Sequence, residues 1–68
     1  MKIQDLKVGD RVCYRSSYAQ NENGIVKEIR EDNIVGVWVV YNCAGNWDRY
    51  MDYTGALTYI QDLVKGWK

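Results

Sequence analysis

Hydrophobic and polar positions alternate along much of this chain, and the alternation comes in short runs. In RVCYRS, Val12 and Tyr14 alternate with Arg11, Cys13 and Arg15, a period of two that predicts a half-buried strand. Val12 and Tyr14 then face the core, and Cys13 faces away from it. GIVKEIR predicts a second strand, with Ile25 and Ile29 on one face and Val26, Glu28 and Arg30 on the other. IVGVWVVY is the strongest strand signal, rich in β-branched and aromatic residues. Its unbroken hydrophobicity predicts burial on both faces, as in the central strand of a curled sheet. Gly36 inside it permits a sharp bend or a close backbone approach. Trp38 alternates with Val37 and Val39, which puts it on the outer face. There it is expected to pack under the LVKGW segment, against Trp67.

Polar clusters punctuate these runs. QNENG ends in Asn-Gly, a turn signal because both residues tolerate positive φ. EDN and NCAG predict the next two turns. Beyond them, NWDRYMDYTG and ALTYI supply a fourth and a fifth strand, and QDLVKGWK a short helical turn and tail. One internal echo stands out: IQDLKVG at Ile3–Gly9 recurs as IQDLVKG at Ile60–Gly66. Two copies are too few for a solenoid. They predict two similar turns that place Leu6 and Leu63 under the core.

Five short strands with tight turns, and no linker between them, predict one all-β domain over residues 1–68. The architecture that fits best is a small five-stranded SH3-like barrel with short terminal turns. An OB-fold fits less well because it usually has longer strands and a helix. The expected core comprises Leu6, Val12, Ile25, Ile29, Val37, Val39 and Leu57.

Composition narrows the function. A chain of 68 residues buries only about 60% of its unfolded surface, so its core is thin. Three Trp and six Tyr with no Phe mean that nearly every large ring carries a polar edge. Such rings sit well half in a core and half in water. Nine basic residues balance nine acidic ones with no basic run, which disfavours nonspecific nucleic-acid binding. No apolar run approaches the length of a membrane span, and MKIQDLKVGD has no signal-peptide core, so a cytoplasmic setting is expected. Cys13 and Cys43, with no His, cannot complete a zinc site, and both are expected to be free, accessible thiols. No cofactor is implied. Without His, the usual base at neutral pH is missing, and the two thiols have no evident activating partner. Asp48 and Asp52, if on one strand, lie roughly 13 Å apart, too far for a glycosidase pair. A non-enzyme is expected.

The chemistry-bearing stretch is NWDRYMDYTG, where Trp47, Tyr50 and Tyr53 recur three residues apart. On a flat strand Trp47 and Tyr53 share one side and Tyr50 the other. A bulge would bring the rings together, and Asp48 or Asp52 at the rim would then favour a cation. The competing reading makes Trp47 or Tyr53 a plug of the barrel mouth, with Tyr50 outside. Arg15 and Arg49 read as solvated charges.

The order LKVGDRVCY, GIVKEI, VWVVY resembles small SH3-like barrels of the KOW and Tudor type. VVYNCAGNWDRYMDY is similar to the aromatic-rich corner of chromo-barrel and Tudor-knot domains. The resemblance implies a small non-catalytic binding module that recognises a protein or peptide through an aromatic-rich barrel edge. It carries Trp47, Tyr50, Tyr53 and Asp52 over as candidate binding residues, with Asp48 beside them. A KOW-like RNA-binding or translation-associated module is the alternative, although KOW proteins that contact RNA are generally basic and this chain is neutral. A structural or accessory subunit joined through edge strands is a third reading. A monomer is expected.

Overall fold

The computed structural model describes residues 3–15, 21–30, 32, 35–41 and 45–67. Five antiparallel strands form one sheet: β1 (Arg11–Tyr14), β2 (Glu22–Glu28), β3 (Gly36–Val40), β4 (Ala56–Tyr59) and β5 (Leu63–Lys65). Their order across the sheet is β4-β3-β2-β1-β5. Three short 3₁₀ turns complete the fold: η1 (Ile3–Asp5), η2 (Trp47–Asp52) and η3 (Ile60–Asp62).

The two edge strands, β4 and β5, are consecutive in the chain and joined only by the three-residue η3. In a flat five-stranded sheet the edges lie about 19 Å apart, four spacings of about 4.8 Å. A 3₁₀ connection from Tyr59 to Leu63 covers only about 8 Å. The sheet is therefore curled, with its edges drawn together at the η3 end. No ladder joins β4 to β5, so the sheet stays open.

The core lies inside the curl and consists of Leu6, Val12, Val26, Val37, Val39, Ile60 and Leu63, with Ile3, Tyr14, Ile29 and Tyr41 packed against it. The repeated IQDL segments do the same work twice. Each IQD forms a 3₁₀ turn, and the leucine after it, Leu6 or Leu63, is buried. The second copy continues into β5 rather than into a tail. β3 is buried on both faces, with only Trp38 partly exposed. Gly36 makes the close approach expected of it, since a Cβ there would lie 2.9 Å from the Thr58 carbonyl oxygen.

Several expectations are corrected. Asn23-Gly24 is not a turn; both residues lie inside β2, paired with Cys13 and Val12. Glycine is needed there for space, because a Cβ would sit 2.6 Å from Val39 Cγ1 and 2.9 Å from the Val40 carbonyl. The β2–β3 register shifts between Val26 and Glu28. Val26 therefore joins the core cluster with Ile29 packed against it; Ile25 is buried, as expected, on the other face. Cys13 does alternate with Val12, but it is 0% exposed, because the second face of the sheet is covered too. The expectation of an accessible thiol fails for Cys13, and Cys43 lies outside the described residues. Leu57 is 52% exposed rather than core, and its neighbour Thr58 is buried instead. β4 points Thr58, not Leu57, into the curl, pairing it with Val37.

Candidate functional site

The stretch Trp47–Asp52 forms η2, not a strand. An i→i+3 backbone bond closes each end: Arg49 N–H donates to the Asn46 carbonyl (3.0 Å) and Tyr53 N–H to the Tyr50 carbonyl (3.2 Å). Arg49 itself is non-helical (φ −107°, ψ 26°), so η2 is two short turns joined at a kink. A 3₁₀ turn repeats every three residues, so side chains at i and i+3 eclipse. The burial follows that period. Trp47, Tyr50 and Tyr53 are half-buried, while Asp48, Arg49, Met51 and Asp52 are exposed. Tyr50 thus shares a side with the other two rings, contrary to the strand expectation.

That side lies against β2. The Lys27 ammonium donates to the Tyr53 carbonyl, and the Tyr50 hydroxyl comes close to Gly9, 3.3 Å from where a Cβ would stand. Trp47 packs on Trp67, ring centroids 4.8 Å apart and tilted by 55°. The Trp67 indole N–H donates to the Gly24 carbonyl (2.9 Å), and the Arg11 guanidinium sits 4.6 Å from the Trp67 ring centre. Trp38 does not reach Trp67; its partner is the Arg30 guanidinium at 4.7 Å, and Arg30 also pairs with Glu28. The three η2 rings form no ring pair with one another. Asp52 is held by Arg49 at 3.1 Å on the solvent side, and Asp48 is exposed beside it.

A second aromatic group lies at the open edge, in residues that no local spacing marks. Tyr14, Glu22, Tyr41, Leu57, Thr58, Tyr59 and Asp62 line a cleft of about 430 Å³. That is within the usual range of ligand pockets, about 300–1,000 Å³. The residues come from β1, β2, the end of β3, β4 and η3, brought together by the curl. Tyr14 and Tyr41 meet edge to face, centroids 6.0 Å apart. The Tyr41 and Thr58 hydroxyls share a hydrogen bond of 2.6 Å. Burial pushes the Tyr41 phenol above its ordinary value of 10.0; the Thr58 bond opposes the rise, and Tyr14, Glu22 and Asp62 add to it. The ion pairs Arg30–Glu28 and Arg49–Asp52 lie elsewhere, and neither carboxylate of the cleft has a cation partner among the described residues.

β4 borders this cleft and pairs on one side only. Ile60 N–H donates to the Val35 carbonyl (3.0 Å). Because antiparallel pairs alternate between bonded and non-bonded, Thr58 and Ala56 point their backbone groups toward β3. Leu57 points its N–H and C=O, and Tyr59 its N–H, toward the free edge, while the Tyr59 carbonyl opens η3 as its N-cap. The side chains of those two residues are 52% and 57% exposed.

Among the described residues no cluster of three metal-ligating side chains occurs, and no helix is long and apolar enough to cross a membrane. No protein-family model, curated protein or solved structure matches the chain.

Proposed function

We propose that this chain is a non-catalytic binding module of the SH3-like barrel class that takes an extended segment of another protein along the free edge of β4. The observation that carries the reading is β4 itself. Natural edge strands are usually blunted by shortness, charge, proline or a bulge. The strand ALTY is short, at four residues, but carries no charge, proline or bulge. It directs the N–H and C=O of Leu57 and the N–H of Tyr59 away from β3, beside exposed side chains and the cleft. Main-chain pairing at such an edge supplies affinity, and pockets for alternate side chains supply selectivity. The two carboxylates at the cleft disfavour a phosphate backbone, which places protein ahead of RNA. η2 acts in this reading as a buttress: its rings cover the second face of the sheet and leave β4 free.

Selection from a display library of random short peptides tests the proposal, with Leu57→Pro as the discriminating variant. Proline at Leu57 removes an outward N–H, which edge strands tolerate. It should leave the circular dichroism and cooperative melting of the domain in place while abolishing capture of the selected peptides. Retention of binding by a folded Leu57→Pro protein would refute strand addition at β4. A dimer in solution that Leu57→Pro converts to monomer would replace the partner with a second copy of the chain.

A further inference from the structure

We propose that the cleft lined by Tyr14, Tyr41, Tyr59, Glu22 and Asp62 is a subsite for a lysine or arginine side chain of that extended segment. The inference rests on the β4 reading and adds what the edge alone does not say, the chemical class of residue selected. Three features converge on it.

The first is charge. The chain has no net charge, yet Glu22 from β2 and Asp62 from η3 line one cleft with no described cation beside either. Elsewhere on the same sheet the aromatic groups carry their own cation: Arg11 lies over Trp67 and Arg30 over Trp38. The tyrosine cleft has no such cation among the described residues, and it alone among the described aromatic groups is lined by two carboxylates. Ring faces and carboxylates attract a cation by the same sign of field, and the attraction strengthens when water is partly excluded. The Tyr41 phenol is raised chiefly by burial, and Glu22 and Asp62 add smaller contributions of the sign that a nearby negative field gives.

The second is shape. A lysine or arginine has an apolar stem and a charged head, and it buries the stem while keeping the head among polar groups. Leu57 and Tyr59 supply apolar surface at the β4 side of the cleft, and the carboxylates come from β2 and η3. The third is reach. Side chains of an added strand alternate between faces, so a strand beside β4 directs every second residue toward the inside of the curl, where the cleft opens.

Fluorescence anisotropy with a short alternating Thr/Val peptide carrying one central lysine tests the proposal, beside its arginine and norleucine versions. The lysine and arginine peptides should bind at least about tenfold more tightly than norleucine, a preference that falls as salt screens the charges. Glu22→Gln combined with Asp62→Asn should remove the preference and leave norleucine binding where it was. A second arm uses butylammonium, with butanol as the neutral control, and follows the ring resonances of Tyr14, Tyr41 and Tyr59. The ammonium should shift them and the alcohol should not. Equal binding of all three peptides would overturn the subsite and leave the β4 reading intact. No peptide binding, with ring shifts specific to butylammonium, would overturn the β4 reading and keep the cation site. Silence in both arms would overturn both.

Discussion

The two aromatic groups of this small domain use the same kinds of residue and do opposite things with them. On one face, Trp47 and Trp67 pack together, the Trp67 indole is bonded to Gly24, and Arg11 sits over its ring. The Trp67 indole N–H and its ring thus have internal partners. At the open edge, Tyr14, Tyr41 and Tyr59 surround a cleft whose two carboxylates have none among the described residues. The difference follows from position in the sheet. A group on a covered face must satisfy itself, because water is excluded and an unpaired polar atom is costly. A group at an edge that the fold leaves open keeps its capacity for a ligand. Aromatic content is therefore common to both regions; what separates them is the unpaired charged capacity beside the rings, on which the proposed subsite rests.

Three substitutions set the contrast at risk, beginning with the largest effect. Trp67→Ala removes a ring pair, an indole hydrogen bond and a cation contact. A fully buried Trp→Ala costs about 3–5 kcal/mol, and the half-buried Trp67 should cost about 2 kcal/mol by the same scale. In a domain of this size that lowers Tm by about 8–16 °C. Thermal melting reads the loss, and peptide binding well below the transition should be unchanged. A negligible Tm shift would remove the buttress role from the tryptophan pair.

Tyr41→Phe comes next, because Tyr41 belongs to both the core and the cleft. Loss of its bond to Thr58 should cost about 1 kcal/mol. Thr58 Oγ keeps a second bond, donated to the Ala56 carbonyl at 3.3 Å, which limits the damage. The same variant has a pH signature. The folded pKa of Tyr41 lies above its ordinary 10.0, so the folded state holds this proton more tightly than the unfolded state does. The associated stability is complete below that ordinary value and is lost as pH rises from there through the raised folded value. Melting curves taken across that range should show an alkaline decline in the wild type that is smaller in Tyr41→Phe. Identical declines would show that Tyr41 ionisation does not contribute.

Tyr59→Ala should give the smallest change in stability, within about 0.5 kcal/mol, as exposed positions do. Its effect should instead appear in binding, as a loss of more than about 1 kcal/mol for the lysine peptide. Calorimetry beside melting separates the two. A large stability loss with unchanged binding would invert the proposed roles of the two regions.

Much of this fold was legible in local pattern. The alternation of Val12 with Cys13, the buried run from Val37 to Val40 and the paired IQDL turns each express a short-range period. Such periods are properties of neighbouring residues, and the curled sheet preserved them. Glycine at 24 was legible as special but not for its reason: the Asn-Gly signal suits a turn, whereas the contact that requires glycine comes from Val39 and Val40 on another strand. Cys13 and Leu57 were misjudged for a related cause. Alternation says which residues share a face and does not say whether that face is covered. The second face at β1 is buried, while the same side of β4 is left open at the sheet edge. The three-residue spacing of Trp47, Tyr50 and Tyr53 was visible, and its 3₁₀ meaning was not, because a 3₁₀ turn has weak intrinsic preference and is held here by contacts with β2 and Lys27. The tyrosine cleft had no sequence signature at all. Its residues come from β1, β2, β4, η3 and the residue after β3; strand pairing sets Tyr14 beside Glu22, and the short η3 link brings the β4 edge round to them.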